Sequence, residues 1–527
     1  MKVNILSILL LLIAFAFRAN AQVIEPIQND IQIDADVVYT SGIKYDFIAT
    51  QEKSSNSKMT DDKIVCIECA SGKQVHEITQ TRPKELTFIG VFETEKGLLL
   101  IYRNVQKKSI VTFINAVALD AAQPEWNPKT ILETNAKKSI QGNVCVTSRD
   151  GSKLEVGDFF FNDKKDGRSL HYAVIDRSGQ KLYEQTFETS ATRNNTTGAS
   201  TVMVGNDGKC YMAFFSGRYI DEKSDVFTYY VYVANAEGTK SYKRSYQGLT
   251  HFAQIPKFGL SDNGDVFAIG VTPNEEERTA GNTFTVSIGI PQAVTHSEIG
   301  KLFVLVLLNG SEEITIDTIS VPSDIKLKMD GNLKSMYDEN APIVTVKQLC
   351  PRELNVLSDG SVIVVFENTG VSYGQKTELK KVYTYYRHYL GSLMLAHFDA
   401  KGQFVKCTYF DKLQKIHYNG EFNFYVDKVY VGFYKENKTM CMGYKESESY
   451  WWHKLILNDD MQITEVDKEF LRAEEDPYIT GIFKMRSNYW LVKYREVKEK
   501  GFKNAMKNFV NITKKPDPYN IGILNVE

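Results

Sequence analysis

No G-x-S-x-G, H-E-x-x-H or P-loop pattern occurs in the 527 residues, so the local signatures of α/β-hydrolases, zinc peptidases and nucleotide-binding loops are missing. The eight histidines are scattered without ligand spacing. The C-x-x-C pair, Cys66-Ile-Glu-Cys69, has no second copy to complete a zinc site. It also lies in a strand-like run, where residues three apart sit roughly 10 Å from each other on opposite faces. A disulfide needs Cα atoms within about 7 Å, so these two are not expected to bond. The acidic stretch 162–167 lacks the alternating oxygen ligands of a calcium loop. Neither a metal nor a cofactor is expected. Charge is balanced, with 63 Lys and Arg against 65 Asp and Glu, which excludes the basic surface of a nucleic-acid binder. The seven cysteines are an odd number, so at least one has no intramolecular partner, and most are expected to be small buried residues.

Long apolar runs are also missing, apart from one. Ile5 to Phe17 is broken only by Ser7, follows a short basic start and precedes Ala19-Asn20-Ala21. This is the n-region, h-region and A-x-A pattern of a secretory signal peptide, and it is shorter than the roughly 20 apolar residues a bilayer span needs. Residues 1–21 are therefore expected to be removed, leaving a mature chain from 22 with no transmembrane segment. No cysteine follows the h-region to carry a lipid anchor. The expected destination is periplasmic or extracellular.

What is present is a repeat. Asp150-Gly151, Asp207-Gly208, Asn263-Gly264 and Asp359-Gly360 are tight-turn signals, each followed at once by an apolar run. Such pairs suggest type I′ hairpin turns, with positive φ at both central residues. Glycines 42, 97, 151, 208 and 264 are separated by 55, 54, 57 and 56 residues, and the step of 96 to Gly360 is one unit with an insertion. A second hairpin follows in each unit, turning at Ser71-Gly72, Ser178-Gly179, Glu237-Gly238, Asn309-Gly310 or Lys401-Gly402. Each unit thus reads as four antiparallel strands, A to D. Strand B is apolar on both faces, as in a sheet sandwiched between neighbours. Proline is scarce (13) and tyrosine and phenylalanine plentiful (29 each), which suits strands.

Four strands per unit of about 50 residues resembles the β-propeller superfold over residues 23–527. The WD dipeptide, the kelch double glycine and the Asp-box are absent, so the resemblance implies architecture and no named family. The expected fold is all-β, a single propeller of about eight blades, with seven as the alternative. Strand B begins near residues 43, 98, 152, 209, 265, 361, 438 and 488. The last unit ends after its strand C. The N-terminal segment around Asp30–Ala35 is expected to supply the missing fourth strand and close the ring.

Candidate sites follow from where length accumulates. Tight A–B and C–D turns share one rim, and the long segments 272–300, 321–346, 370–391 and 497–518 fall on the other. Segment 370–391 carries Tyr383, Tyr385, Tyr386, Arg387, His388 and Tyr389, residue types that anchor binding sites and stack on sugar rings. The alternative is a protruding hairpin whose tyrosines pack locally. Residues 499–510 show helical spacing of Phe502, Met506 and Phe509, a possible partner-docking face. Tyr450-Trp451-Trp452-His453 opens strand C of the seventh unit and suits packing between blades. The expected function is a non-catalytic binding or scaffold module of the bacterial envelope, contacting protein or glycan through the long-loop face. It could serve as an accessory subunit of an outer-membrane or secretion assembly. The alternative is a propeller hydrolase or lyase acting on extracellular polysaccharide, which would need acidic and basic side chains converging at the channel mouth.

Overall fold

The computed structural model describes residues 24–31, 36–51, 58–106, 109–135, 140–161, 167–192, 196–217, 226–247, 256–272, 301–335, 344–378, 381–412, 414–418, 429–433, 439–446, 449–458, 460–472, 478–486, 488–495 and 519–525. Among these the chain forms eight antiparallel sheets, seven of four strands and one of five. Blade 1 is β2 (Asp36–Ser41), β3 (Tyr45–Gln51), β4 (Met59–Glu68) and β5 (Gln74–Pro83). Blade 2 is β6 (Thr87–Glu93), β7 (Leu98–Val105), β8 (Ile110–Val117) and β9 (Lys129–Thr134). Blade 3 is β10 (Ile140–Thr147), β11 (Lys153–Phe161), β12 (Gly167–Asp176) and β13 (Lys181–Thr192). Blade 4 is β14 (Thr196–Val204), β15 (Cys210–Gly217), β16 (Val226–Asn235) and β17 (Gly238–Gln247). Blade 5 is β18 (Lys257–Leu260), β19 (Val266–Val271), β20 (Leu302–Leu307) and β21 (Thr315–Ile319). Helix α1 (Ser323–Ser335) leads into blade 6, which is β22 (Val344–Val356), β23 (Val362–Glu378), β24 (Lys381–Phe398) and β25 (Phe404–Phe410), with β26 (Gln414–Tyr418) added alongside β24. Blade 7 is β27 (Val429–Phe433), β28 (Thr439–Glu446), β29 (Ser449–Leu457) and β30 (Ile463–Arg472). Blade 8 is β31 (Tyr478–Met485), β32 (Tyr489–Arg495), β33 (Tyr519–Asn525) and β1 (Ile24–Ile31).

The fold is therefore a β-propeller, and every strand B starts within two residues of its sequence expectation. The ring is closed by the N-terminal strand: β1 pairs antiparallel with β33, Ile24 opposite Leu524 and Ile31 opposite Tyr519. The closing strand is Ile24–Ile31, several residues before the expected 30–35.

The turn chemistry differs from expectation. In the β10–β11 turn, Gly151 N–H donates to Ser148 O and Ser148 N–H to Lys153 O, and positive φ is confined to Gly151 at 66°. The β14–β15 turn repeats this with Gly208 at 81°. These are turns closed by a single left-handed glycine, not type I′ turns, because one glycine per turn needs only one positive φ. The C–D turn of blade 7 has Met461 at that position, with φ 55°, the one non-glycine with positive φ among the described residues.

The core lies in the seams between blades, because each inner strand is apolar on both faces. Strand β19 shows this residue by residue: Val266 and Ala268 pack on blade 4, whereas Phe267, Ile269 and Val271 pack on blade 6. Strand β23 alternates likewise, Val362, Val364 and Phe366 toward blade 5, Ile363 and Val365 toward blade 7. Each such side chain contributes about 1.5–3 kcal/mol on burial. Comparable clusters join blades 1 and 2, 2 and 3, 3 and 4, and 8 and 1. Cys66, Cys210 and Cys350 are buried in this way, and none of the described cysteines forms a disulfide. Cys66 stands in β4 and Cys69 just past its end, both free.

Candidate functional site

Segment 370–391 is a hairpin rather than a loop. Strands β23 and β24 are 17 and 18 residues long, against six in β19, and pair without a break from Gly370 opposite Tyr389 to Glu378 opposite Lys381. Strand β22 accompanies β23 only as far as Ser372. Strand β25 accompanies β24 only over Leu393–Phe398, and β26 takes its place beside Tyr386–Leu390. The tip of the hairpin, 373–378 and 381–385, thus stands beyond the blade as a two-stranded ribbon.

The six candidate residues all lie on β24. Tyr383 is opposite Lys376 and Tyr385 opposite Gly374, in the ribbon. Tyr386, Arg387 and His388 are paired on both sides, with Tyr373, Ser372 and Val371 of β23 and with Tyr418, His417 and Ile416 of β26. By strand period, positions 383, 385 and 387 share one face and 386 and 388 the other. Tyr389 is fully buried at the foot of the hairpin. Phe502, Met506 and Phe509 lie outside the described residues.

The foot of the hairpin carries a buried ionic cluster. Glu367 of β23 is excluded from solvent, with Lys412 Nζ at 2.5 Å from one oxygen. Arg352 of β22 donates from Nε to the other oxygen at 2.7 Å. Burial alone would raise this carboxyl, but the Lys412 ammonium and Arg352 guanidinium hold it below its ordinary value. Lys412 Nζ also donates to Leu390 O at 3.2 Å. Helix α1 packs here: Ser392 N–H donates to Asn332 Oδ1 at 2.9 Å, and Asn368 Nδ2 donates to Met329 O at 2.8 Å. Asn332 Nδ2 donates in turn to Asp411 and to Lys412 O. One helix, three strands, two buried charges and the half-buried Arg352 therefore meet at the foot from which the hairpin leaves the blade.

The opposite rim is held by polar contacts between turns. Arg149, in the A–B turn of blade 3, donates from Nη1 to Leu357 O of blade 6 at 3.3 Å and lies 3.6 Å from Asp262 of blade 5. Asp150 N–H donates to Asn206 Oδ1 at 3.2 Å, and Asn206 Nδ2 donates to Asp262 Oδ1 at 3.1 Å. The Arg149 side chain thus reaches from blade 3 to blades 5 and 6 on the tight-turn rim.

The remaining buried charges sit in seams. Arg103 of blade 2 lies 2.5 Å from Asp158 of blade 3. Thr134 Oγ1 donates to Asp158 at 3.0 Å and is 2.8 Å from His171 Nδ1, whose Nε2 faces Glu184 at 3.1 Å. Burial dominates at Asp158 and leaves its carboxyl above the ordinary value despite Arg103 and Thr134. Thr134 and Asp158 are closed off by packing, so this chain of groups ties two sheets together. Among the described residues no group of three or more His, Cys, Asp or Glu is placed to hold a metal ion. Sequence reasoning identified none of these charged clusters. The available signal was a charge inside an otherwise apolar strand B: Arg103, Glu155, Asp158 and Glu367 all stand there.

No family model matches the chain, and no curated protein matches it. Solved structures do. The β-propeller domain of the Trilobed protease from Pyrococcus furiosus is 12% identical, with 85% of this chain and 97% of that one covered and a TM-score of 0.33. The polysaccharide lyase Uly1 is 10% identical over 86% of this chain and 93% of its own, TM-score 0.33. The WD40 domain of SCAP from fission yeast is 8% identical over 94% and 98%, TM-score 0.35.

Proposed function

We propose that the protein is an exported binding or scaffold propeller of the bacterial envelope, periplasmic or extracellular, that contacts a protein or glycan through its long-loop face. The projecting hairpin of β23 and β24 is the contact element. One observation carries this reading: a ribbon extending past its blade is footed on the buried Glu367–Lys412 pair and the adjoining Arg352. Desolvating two charges costs several kcal/mol per ion unless they are paired, so this foot is a demanding way to support a surface projection. Recognition by an aromatic-bearing ribbon whose backbone is already paired loses less conformational entropy than recognition by an unpaired loop.

The test replaces residues 373–385 by a two-residue turn and compares variant with wild type. The foot is untouched, so the variant should keep its circular dichroism spectrum and denaturation midpoint. It should lose the envelope proteins, or the glycans on an array, that the wild type retains. Retention of the same partners by the variant, or specific polysaccharide cleavage by the wild type, would overturn the reading. Export is tested separately by fractionation and N-terminal mass spectrometry, which should find Gln22 first.

A further inference from the structure

Glu155 stands where the repeat calls for an apolar residue. Strand β11 directs Leu154 and Val156 into the seam with blade 2. Glu155 points the other way, into the seam with blade 4, among Val144, Tyr172, Met212 and Phe214. Its side chain is wholly excluded from solvent. Its hydrogen bond comes from the Cys210 thiol, Sγ to Oε1 3.0 Å, and Oε2 is buried with no hydrogen-bond partner among the described residues. A thiol is a weak donor.

The other fully buried carboxylates are treated differently. Asp46 faces Arg486, Asp62 faces Arg82, Asp158 faces Arg103, and Glu367 faces Lys412 and Arg352. Among the described residues no cation faces Glu155 from any element packed against it. Opposite it on β10 and β12 are Val146 and Val174. The titratable neighbours are the Cys210 thiol from β15 and the hydroxyls of Tyr172 and Tyr183, rings 6.0 Å apart, from β12 and β13. Lys153, two residues earlier on the same face, reaches the rim, where its Nζ is 3.3 Å from Ser152 Oγ. Lys209 at the same rim is paired with Asp207 at 2.6 Å. A carboxylate would be stranded in this site, whereas a neutral carboxylic acid loses far less on burial.

We propose that Glu155 is a proton-operated latch on the seam between blades 3 and 4: the neutral acid lets the seam close, and release of its proton to solvent opens the seam and exposes Cys210. Burial pushes the carboxyl up from 4.5 to about 8, against the hydrogen bond from Cys210. The same burial, with the adjacent carboxyl, drives the Cys210 thiol well above its ordinary value. The folded chain therefore holds one more proton than the unfolded chain across this window. The Glu155 contribution to seam stability is full below the lower value, falls as pH rises toward about 8, and is flat above it.

The test is alkylation of Cys210 by iodoacetamide between about pH 6 and 8.5, below the ordinary thiol range, followed by peptide mass spectrometry, in wild type and Glu155→Gln. Dividing by the rate in the urea-unfolded chain removes the thiol's own titration and leaves the opening equilibrium. In wild type this equilibrium should rise toward about tenfold per pH unit up to about pH 8 and then level. In Glu155→Gln, which keeps the shape without the charge, it should be flat. Identical normalised curves in the two proteins would overturn the proposal. If the variant does not fold, hydrogen exchange of the wild type decides, corrected for intrinsic rates. The amides of β11 and β15 should lose protection between pH 6 and 8 while those of β19 and β23 keep it, and parallel behaviour of the two seams would overturn the proposal.

Discussion

Replacing Asp46 by Asn should weaken the junction of the first and last blades. Asp46 lies at the start of β3 and collects donors from both ends of the chain. Arg486 donates from Nε and Nη2, each at 2.6 Å, and Tyr489 donates its hydroxyl at 2.6 Å, all from blade 8. Ser41 and Tyr39 donate from blade 1 at 2.8 and 3.1 Å. An amide removes the charge and turns one acceptor into a donor that faces other donors. Breaking a fully buried pair costs about 3–5 kcal/mol, chiefly through the charge left behind. The Arg486 side chain keeps 23% exposure and so retains some water, which brings the expectation down to about 2–3 kcal/mol. The pH dependence has a definite sign. Burial would raise the Asp46 carboxyl, but Arg486 and the hydroxyls outweigh it and hold the group below 3.8. Its stabilisation is therefore complete above that value and lost as pH falls through the lower, folded-state value. Urea denaturation at pH 7 and pH 3, with hydrogen exchange of β1, β2, β31 and β33, measures both effects. A cost under 1 kcal/mol, or protection lost evenly around all eight blades, would refute the view that this carboxylate closes the ring.

Lys412→Met should cost about 3 kcal/mol by leaving Glu367 with Arg352 alone, and should raise exchange in β23, β24 and α1 before other elements. A midpoint equal to wild type would show that the foot of the hairpin does not depend on the ion pair. Met461→Gly relieves a left-handed backbone, worth about 1–2 kcal/mol. It also removes a side chain that is 1% exposed in the seam of blades 6 and 7, worth about 2–5 kcal/mol. The net expectation is a loss of about 1–3 kcal/mol, and a stabilised variant would mean the buried side chain contributes little.

The blades were legible because their signals are local. A glycine with positive φ closes Ser148–Gly151, Gly205–Gly208 and Ser261–Gly264, and each is followed by a strand apolar on both faces. No glycine marks the C–D turn of blade 7, because Met461 takes the positive φ that Gly310 and Gly402 take in blades 5 and 6. The exact position of β1 was not legible. A strand that only caps an edge pairs on one side, and Ile24–Ile31 and Asp30–Ala35 carry comparable apolar content. The helical turnover at Ser323–Ser335 was missed because Gly331 and two aspartates dilute its apolar face, which reduces to Val321 just upstream, Ile325 and Met329.

The charged clusters were not legible as clusters because their members are far apart in the chain. Asp46 and Arg486 are separated by 440 residues, and Arg149 meets Leu357 across 208. What each strand does reveal is the anomaly. In a strand sandwiched between blades, a polar position is not explained by solvent on either face, so a charge there must find a partner in the seam or surrender its charge. Asp158 and Glu367 find guanidinium and ammonium groups. Glu155, three residues before Asp158 on the same strand, finds only a thiol among the described residues. The same rule applied along strand B thus separates two classes of buried acid. Those that meet a cation fasten the strands that carry it, across two blades at Asp158 and within blade 6 at Glu367. The one that does not is left to answer to the proton concentration outside.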